Sequence, residues 1–377
     1  MNNQIEIKSD VIQQKIKECL EDVQNQIEVP QQLYQDIQPL IINKSQINKQ
    51  SQSNQQIQSF NNKSFIYELI HQYSQNQFCG AITFNKDCST LLTGCKNQIQ
   101  VFEFNQGMIK QTQILNEHRN NVFTLNFMNK SNQFISGSVD NSIIIWQLNQ
   151  NNQWIPQQTL NGHTSNILCL ILNNNEDLII SGSYDIKFWI KKNEWTCQQT
   201  IKDHSSSVYG LSVNQQQNKV VSCGHDKLIL IMEQQGQNKE WIVIQKITVE
   251  QSAYRICFID NNMFTLSQYN KEQISVYEMN NINQQFTKTK DIDVKCGSDN
   301  GYCLFPQQYI NQKCILMSKN GLYVNLIRKK LNAEFVTQQS IHFDTNQLFG
   351  GMSNDGDYLI TWDNESKQIQ VRRYKEL

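Results

Sequence analysis

No apolar run in this sequence approaches the roughly 18 residues that a helix needs to cross a bilayer. Charge of one sign is also missing: 33 Lys and Arg face 34 Asp and Glu, for a net charge of -1. Such a balance exerts no long-range pull on phosphate or on an anionic surface, so neither nucleic acid nor membrane is expected as a partner. The opening stretch, Met1 to Asp10, is polar and offers no apolar core for a secretory leader. Cysteine is present at 11 residues, but the count is odd and the paired C-x-x-C of a zinc site is absent. Reduced thiols in the cytoplasm or nucleus follow as the expectation. Cys79, Cys88 and Cys95, though near one another, read as small buried hydrophobes. The segment LFGGMSNDG, residues 348–356, lacks the Lys-Ser or Lys-Thr of a phosphate loop and reads as a first strand with its turn. No metal or cofactor is expected.

What the chain does have is amide. Gln and Asn are abundant throughout and crowd residues 1–60, which reads as codon bias more than as selection for amide chemistry. Residues 1–62 form an extension of their own. Ile12, Ile16, Cys19, Val23 and Ile27 recur at helical spacing, predicting a short helix over about 8–28. Residues 43–58 hold too little apolar surface to offset ordering entropy and are expected to be disordered.

From residue 63 to 377 short apolar runs alternate with turns of Gly, Asn, Asp and Ser at a fixed period. One unit reads EHRNNVFTLNF, QFISGSVDNSIIIWQL, NQWIPQQTL; the next GHTSNILCLIL, DLIISGSYDIKFWI, NEWTCQQTI; a third DHSSSVYGLSV, KVVSCGHDKLILIMEQ, KEWIVIQKI. Each unit predicts four short strands with period-two alternation. A Gly-His pair, a Ser-Gly-Ser-x-Asp turn and a Trp closing the third strand make this chain resemble the WD-repeat (WD40) family. The third-strand position recurs at Phe102, Trp146, Trp189, Met232, Tyr277, Leu326 and Arg372, a period of roughly 45 residues, one blade each. The resemblance implies an all-β, seven-bladed propeller. The chain ends in the third strand QIQVRRY, and FIYELIHQY, residues 65–73, reads as an unattached fourth strand that would close the ring, with His71 at the histidine position. The dipeptide Trp362-Asp363 follows YLIT, so Asp363 reads as a turn aspartate and Trp362 as its exposed neighbour.

Ser, His and Asp together invite a hydrolase reading. Here the set repeats: His118, Ser136, Asp140 with Trp146; His163, Ser181, Asp185 with Trp189; His204, Ser222, Asp226. An active site is not built three times in one ring, so no catalytic residue is assigned. The family resemblance implies a hydrogen-bonded structural network in each blade. Blades 5 to 7 lack the set, and packing is expected to hold them more than polar networks do.

The resemblance also implies a protein-interaction scaffold, a subunit of a multiprotein complex, that meets its partners on the narrow top face. Candidates there are Arg119, Asn121, Ser165 and Ser207 in the loops leading into first strands, Val139, Tyr184 and His225 before the turn aspartates, and Tyr254 and Arg255 at the start of blade 5. Tyr184 and Arg119 lead, because Tyr and Arg dominate interface hot spots. A finer likeness rests on Trp154, Trp195 and Trp241 in polar loops before fourth strands: NEWTCQQTIKDH, residues 193–204, is similar to repeats of the cytosolic iron–sulfur assembly propeller, which recruits apoprotein clients.

Overall fold

The computed structural model describes residues 63–236, 239–297 and 304–377; the segment 1–62, with the expected helix over 8–28, lies outside them. The described residues form 28 strands in seven four-stranded antiparallel sheets. Blade 2 is representative, with strands Val122–Phe127, Gln133–Ser138, Ile143–Leu148 and Trp154–Leu160. Its second strand is buried throughout and its third from Ile143 to Trp146, because neighbouring blades cover both faces. The fourth strand buries its ends and leaves Ile155, Pro156 and Gln157 exposed. That gradient from axis to rim is why fourth strands read as polar. First strands of blades 1 to 6 adjoin one another in succession, that of blade 7 meets that of blade 6 through the Met352 N–H donating to Gln308 Oε1 at 2.7 Å, and it adjoins that of blade 1, so the ring is closed. Apolar clusters fill the spaces between and within blades; one runs from Ala81 in blade 1 to Trp146 and Trp154 in blade 2.

The seventh blade is built from both ends of the propeller. Phe65–Ser74 pairs with Gln368–Glu376, which pairs with Tyr358–Asp363 and then Leu348–Met352. Phe65 and Tyr67 are buried on this latch strand. The Tyr67 hydroxyl donates to the Gly356 carbonyl at 2.6 Å, and burial raises its pKa well above the usual phenol value. The buried Arg328 guanidinium of blade 6 lies 4.5 Å from the Phe65 ring and donates to the Tyr374 hydroxyl at 3.3 Å.

Several residues fall elsewhere than expected. Six of the fourth strands shift register opposite the closing residue of the third strand, as between Ile145 and Trp146 in blade 2. The latch strand shifts between Leu69 and His71. In blade 6 that shift falls between Leu326 and Ile327, so Ile327, not Leu326, is the equivalent residue. A longer connection between blades 5 and 6 displaced the count by one. The histidine position of blade 1 is held by buried Gln75, four residues before Cys79, as His118 precedes Val122; His71 is within the latch strand opposite Val371. Trp362 is fully buried, not exposed: its indole N–H donates to the Gln75 carbonyl at 2.9 Å across the closing seam. Asp363 ends its strand, buried, and accepts the main-chain N–H groups of Glu365 and Ser366 in the turn. Cys79 and Cys95 sit directly opposite on adjacent strands and are joined by a disulfide, so the expectation of reduced thiols fails for this pair. Irregular sequence spacing hid a pairing that only strand register creates.

Candidate functional site

In blade 2, His118 Nδ1 lies 2.9 Å from Asp140 Oδ2 and Nε2 lies 2.7 Å from Ser136 Oγ, while Trp146 Nε1 lies 2.8 Å from the same Oγ. The indole N–H can only donate, so Ser136 Oγ accepts from it. The hydroxyl proton then goes to His118 Nε2, and Nδ1–H donates to Asp140. Blade 3 repeats the chain through His163, Asp185 (2.6 Å), Ser181 (2.6 Å) and Trp189 (2.9 Å). Blade 4 keeps His204, Asp226 (2.9 Å) and Ser222 (2.8 Å), with Met232 where the indole would be. All three serines are fully buried. A hydroxyl enclosed in this way, and in two blades also capped by an indole, cannot reach a substrate carbonyl. What the chain of bonds does is tie the loop leading into a blade to the turn after its second strand.

Burial pushes the Asp140 carboxyl up, but bonds from His118, Ser142 and the Arg119 N–H outweigh it, and its pKa falls below the ordinary carboxylate value. Asp185 and Asp226 are lowered in the same way, against burial, by bonds from His163 and His204. A lowered carboxylate contributes stability above its unfolded pKa, about 4, and loses it as pH falls through the folded value. Stability measured by urea titration is therefore expected to hold from neutral pH to about 4 and to drop below it, with a shallower drop in Asp140→Ala. An identical acid limb in the variant would contradict the assignment.

Around the ring axis, a cavity of about 530 Å³ is lined by residues of all seven blades. At its lower end, turns between first and second strands reach over one another. Gln215 of blade 4 donates to Asn311 of blade 6 at 3.2 Å, and Asn354 of blade 7 to Asn129 of blade 2 at 3.3 Å, each pair skipping a blade. At the upper end stand the loops of the expected top face. Arg119 and His225 are exposed, Tyr184 is 57% exposed, and Asn121, Val139, Ser165 and Ser207 are half-buried. Tyr254 lies within the first strand of blade 5, half-buried, in a row of rings: His225 to Tyr209 at 6.1 Å, Tyr209 to Tyr254 at 5.2 Å, Tyr254 to Tyr269 at 5.3 Å. Arg255 does not belong on that face. It is 3% exposed, with Nε donating to the Phe305 carbonyl at 2.7 Å, because strand alternation turns it inward.

Three stretches of the chain, residues 109–147, 154–187 and 195–231, match the WD domain, G-beta repeat family. They begin with the fourth strand of blade 1 and contain the His, Ser and Asp of blades 2, 3 and 4. The chain carries WD40 repeats. No curated protein matches it in sequence.

Outside those repeats the propeller uses other polar chains beside the packing expected to hold these blades. In blades 5 and 6, Thr265 donates to Gln307 (3.1 Å), Gln307 to Ser318 (3.0 Å), Ser318 to Asn320 (2.9 Å) and Asn320 to Ser267 (2.9 Å), all buried. In blade 7, Arg372 donates to Thr361 Oγ1 at 2.9 Å, as Trp146 donates to Ser136, and stacks 5.3 Å from Phe343. Buried hydroxyls still need partners; here amides and a guanidinium supply them.

The amide content also has a role that codon bias does not cover. Gln113 Nε2 donates to the Trp154 carbonyl and its Oε1 accepts the Trp154 N–H, both at 2.9 Å. The same two-point clasp joins Gln158 to Trp195, Gln199 to Trp241 and Gln245 to Phe286. Gln339 holds Tyr67 likewise, at 2.7 and 3.4 Å. Each clasp pins the start of one outer strand to the preceding blade. The signal was readable as Gln-x-Leu or Gln-x-Ile late in the fourth strand. Trp154 and Trp195 accordingly open fourth strands and Trp241 is the second residue of one, all three buried, rather than standing in polar loops. Their place is explained by the clasp, and the comparisons lend the iron–sulfur assembly likeness no support.

Proposed function

We propose that this WD40 propeller is a non-enzymatic scaffold that holds other proteins in a multiprotein complex in the cytoplasm or nucleus. Partners dock on the top face around Tyr184 and Arg119. The observation that carries this reading is the exposed Tyr184 ring on a turn whose neighbouring aspartate, Asp185, is anchored to His163. A large aromatic on a rigid support binds with little ordering cost. The main-chain N–H of Arg119 is likewise fixed, donating to Asp140 at 2.9 Å. The amide bridges at the lower mouth favour the opposite face for docking.

Affinity purification with quantitative mass spectrometry tests the reading. Tyr184→Ala or Arg119→Ala is expected to reduce at least one partner by tenfold or more, the loss of a single hot spot, with an unchanged melting temperature. Retention of every partner by the double variant would refute docking at these residues.

A further inference from the structure

Blade 1 lacks the His–Asp link that ties loop to turn in blades 2 to 4. Gln75 stands at the histidine position and bonds Gln100 at 2.5 Å, and the turn after the second strand is only Lys96-Asn97. Yet the same two places are joined. Cys79 opens the first strand, Cys95 ends the second, and their Cα atoms are 4.1 Å apart. In blade 2 these positions are Val122 and Ser138; in blade 4, Val208 and Gly224. Both sulfurs also face polar atoms suited to thiols. The Gln77 carbonyl is 3.5 Å from Cys79 Sγ, and Thr93 Oγ1 is 3.3 Å from Cys95 Sγ. The site therefore accommodates the dithiol as well as the disulfide, and Thr93 can donate to sulfur in either state.

We propose that Cys79 and Cys95 form a reversible redox staple that sets the rigidity of blade 1, the blade next to the closing seam. Oxidised, the bridge does covalently what His–Asp bonds do in blades 2 to 4. Reduced, the first strand keeps its ladder and the Lys96 N–H bond to the Phe78 carbonyl, and its leading end is free to open. The oxidant is a low-molecular-weight disulfide. One cysteine thiolate attacks it and expels a thiolate. The second cysteine attacks the mixed disulfide, expels the other, and two electrons and two protons leave as two small thiols. Because both cysteines are fully buried, exchange proceeds through transient opening of the strand end. That segment joins the latch strand to blade 1, and its Gln75 carbonyl receives the Trp362 indole.

The full chain is equilibrated with glutathione disulfide or with dithiothreitol, alkylated, and mapped without reduction. In parallel, amide hydrogen exchange is followed over residues 78–97. A Cys79–Cys95 linked peptide is expected in the first arm and two alkylated cysteines in the second. Exchange in the first strand of blade 1 should accelerate on reduction by on the order of a hundredfold, as expected for releasing a crosslink that closes so short a loop, and slow again on reoxidation. Cys79→Ser should exchange at the reduced rate in both arms, and Cys88→Ser should follow the parent. If Cys79→Ser does not fold, the two arms of the unmodified chain decide alone. Absence of the linked peptide, equal exchange in both arms, or a bridge that dithiothreitol opens only under denaturation would each overturn the proposal.

Discussion

Deleting residues 1–74 is expected to leave no cooperatively folded propeller. The loss removes the Phe65–Ser74 strand and exposes the edge of Gln368–Glu376, to which it is paired along its length. It also uncovers Phe343, Ile310 and Val324, which share a cluster with Phe65 and Tyr67, and strips Arg328 of the ring that covers its guanidinium. Circular dichroism should show no sharp thermal transition, and size exclusion should show aggregates, as an open sheet edge predicts. Tyr67 concentrates the effect. Tyr67→Ala should cost about 3–5 kcal/mol, and Tyr67→Phe, which loses only the bond to the Gly356 carbonyl, about 1 kcal/mol. A deletion variant that melts like the parent would show that the ring does not need its latch.

Trp146→Ala should be the most damaging single change within the repeats, at about 3–5 kcal/mol. The indole is fully buried, stacks on Phe134 at 5.5 Å between ring centres, and donates to Ser136. Its removal leaves a cavity and an unfilled acceptor together. Trp146→Met separates the two terms, since blade 4 already holds Met232 at this place beside an intact His204–Ser222–Asp226 chain. It should cost distinctly less than Ala in denaturant titration. Equal losses for Met and Ala would mean that the indole bond, and not volume, dominates.

The fold was legible because its signal repeats. Period-two alternation and a spacing of one blade recur along the chain, and turns rich in Gly, Asn, Asp and Ser separate the strands, so a weak local signal accumulates. The three His-Ser-Asp sets were legible as structure for the same reason. Arg255 and Trp362 were misplaced because a shift of one residue along a strand exchanges inside for outside, and nothing local in YRI or TWD marks the register. The amides of the fourth strands passed as composition because the partner of each, such as Trp154 for Gln113, sits on another blade.

From residue 63 on, the sequence by itself determined a series of four-stranded antiparallel sheets, since four short strands per repeat cannot bury their faces except against the next repeat, and the family resemblance implied the closed ring of seven that the described residues form. Only the tertiary structure decided what joins the blades: the clasps, the lower amide bridges, the substitute polar chains and the Cys79–Cys95 pair. Those contacts join residues far apart in the chain, or opposite one another across a turn; a local pattern such as Gln-x-Leu marks one end of a clasp, but which residue it meets depends on angstrom-scale register between blades.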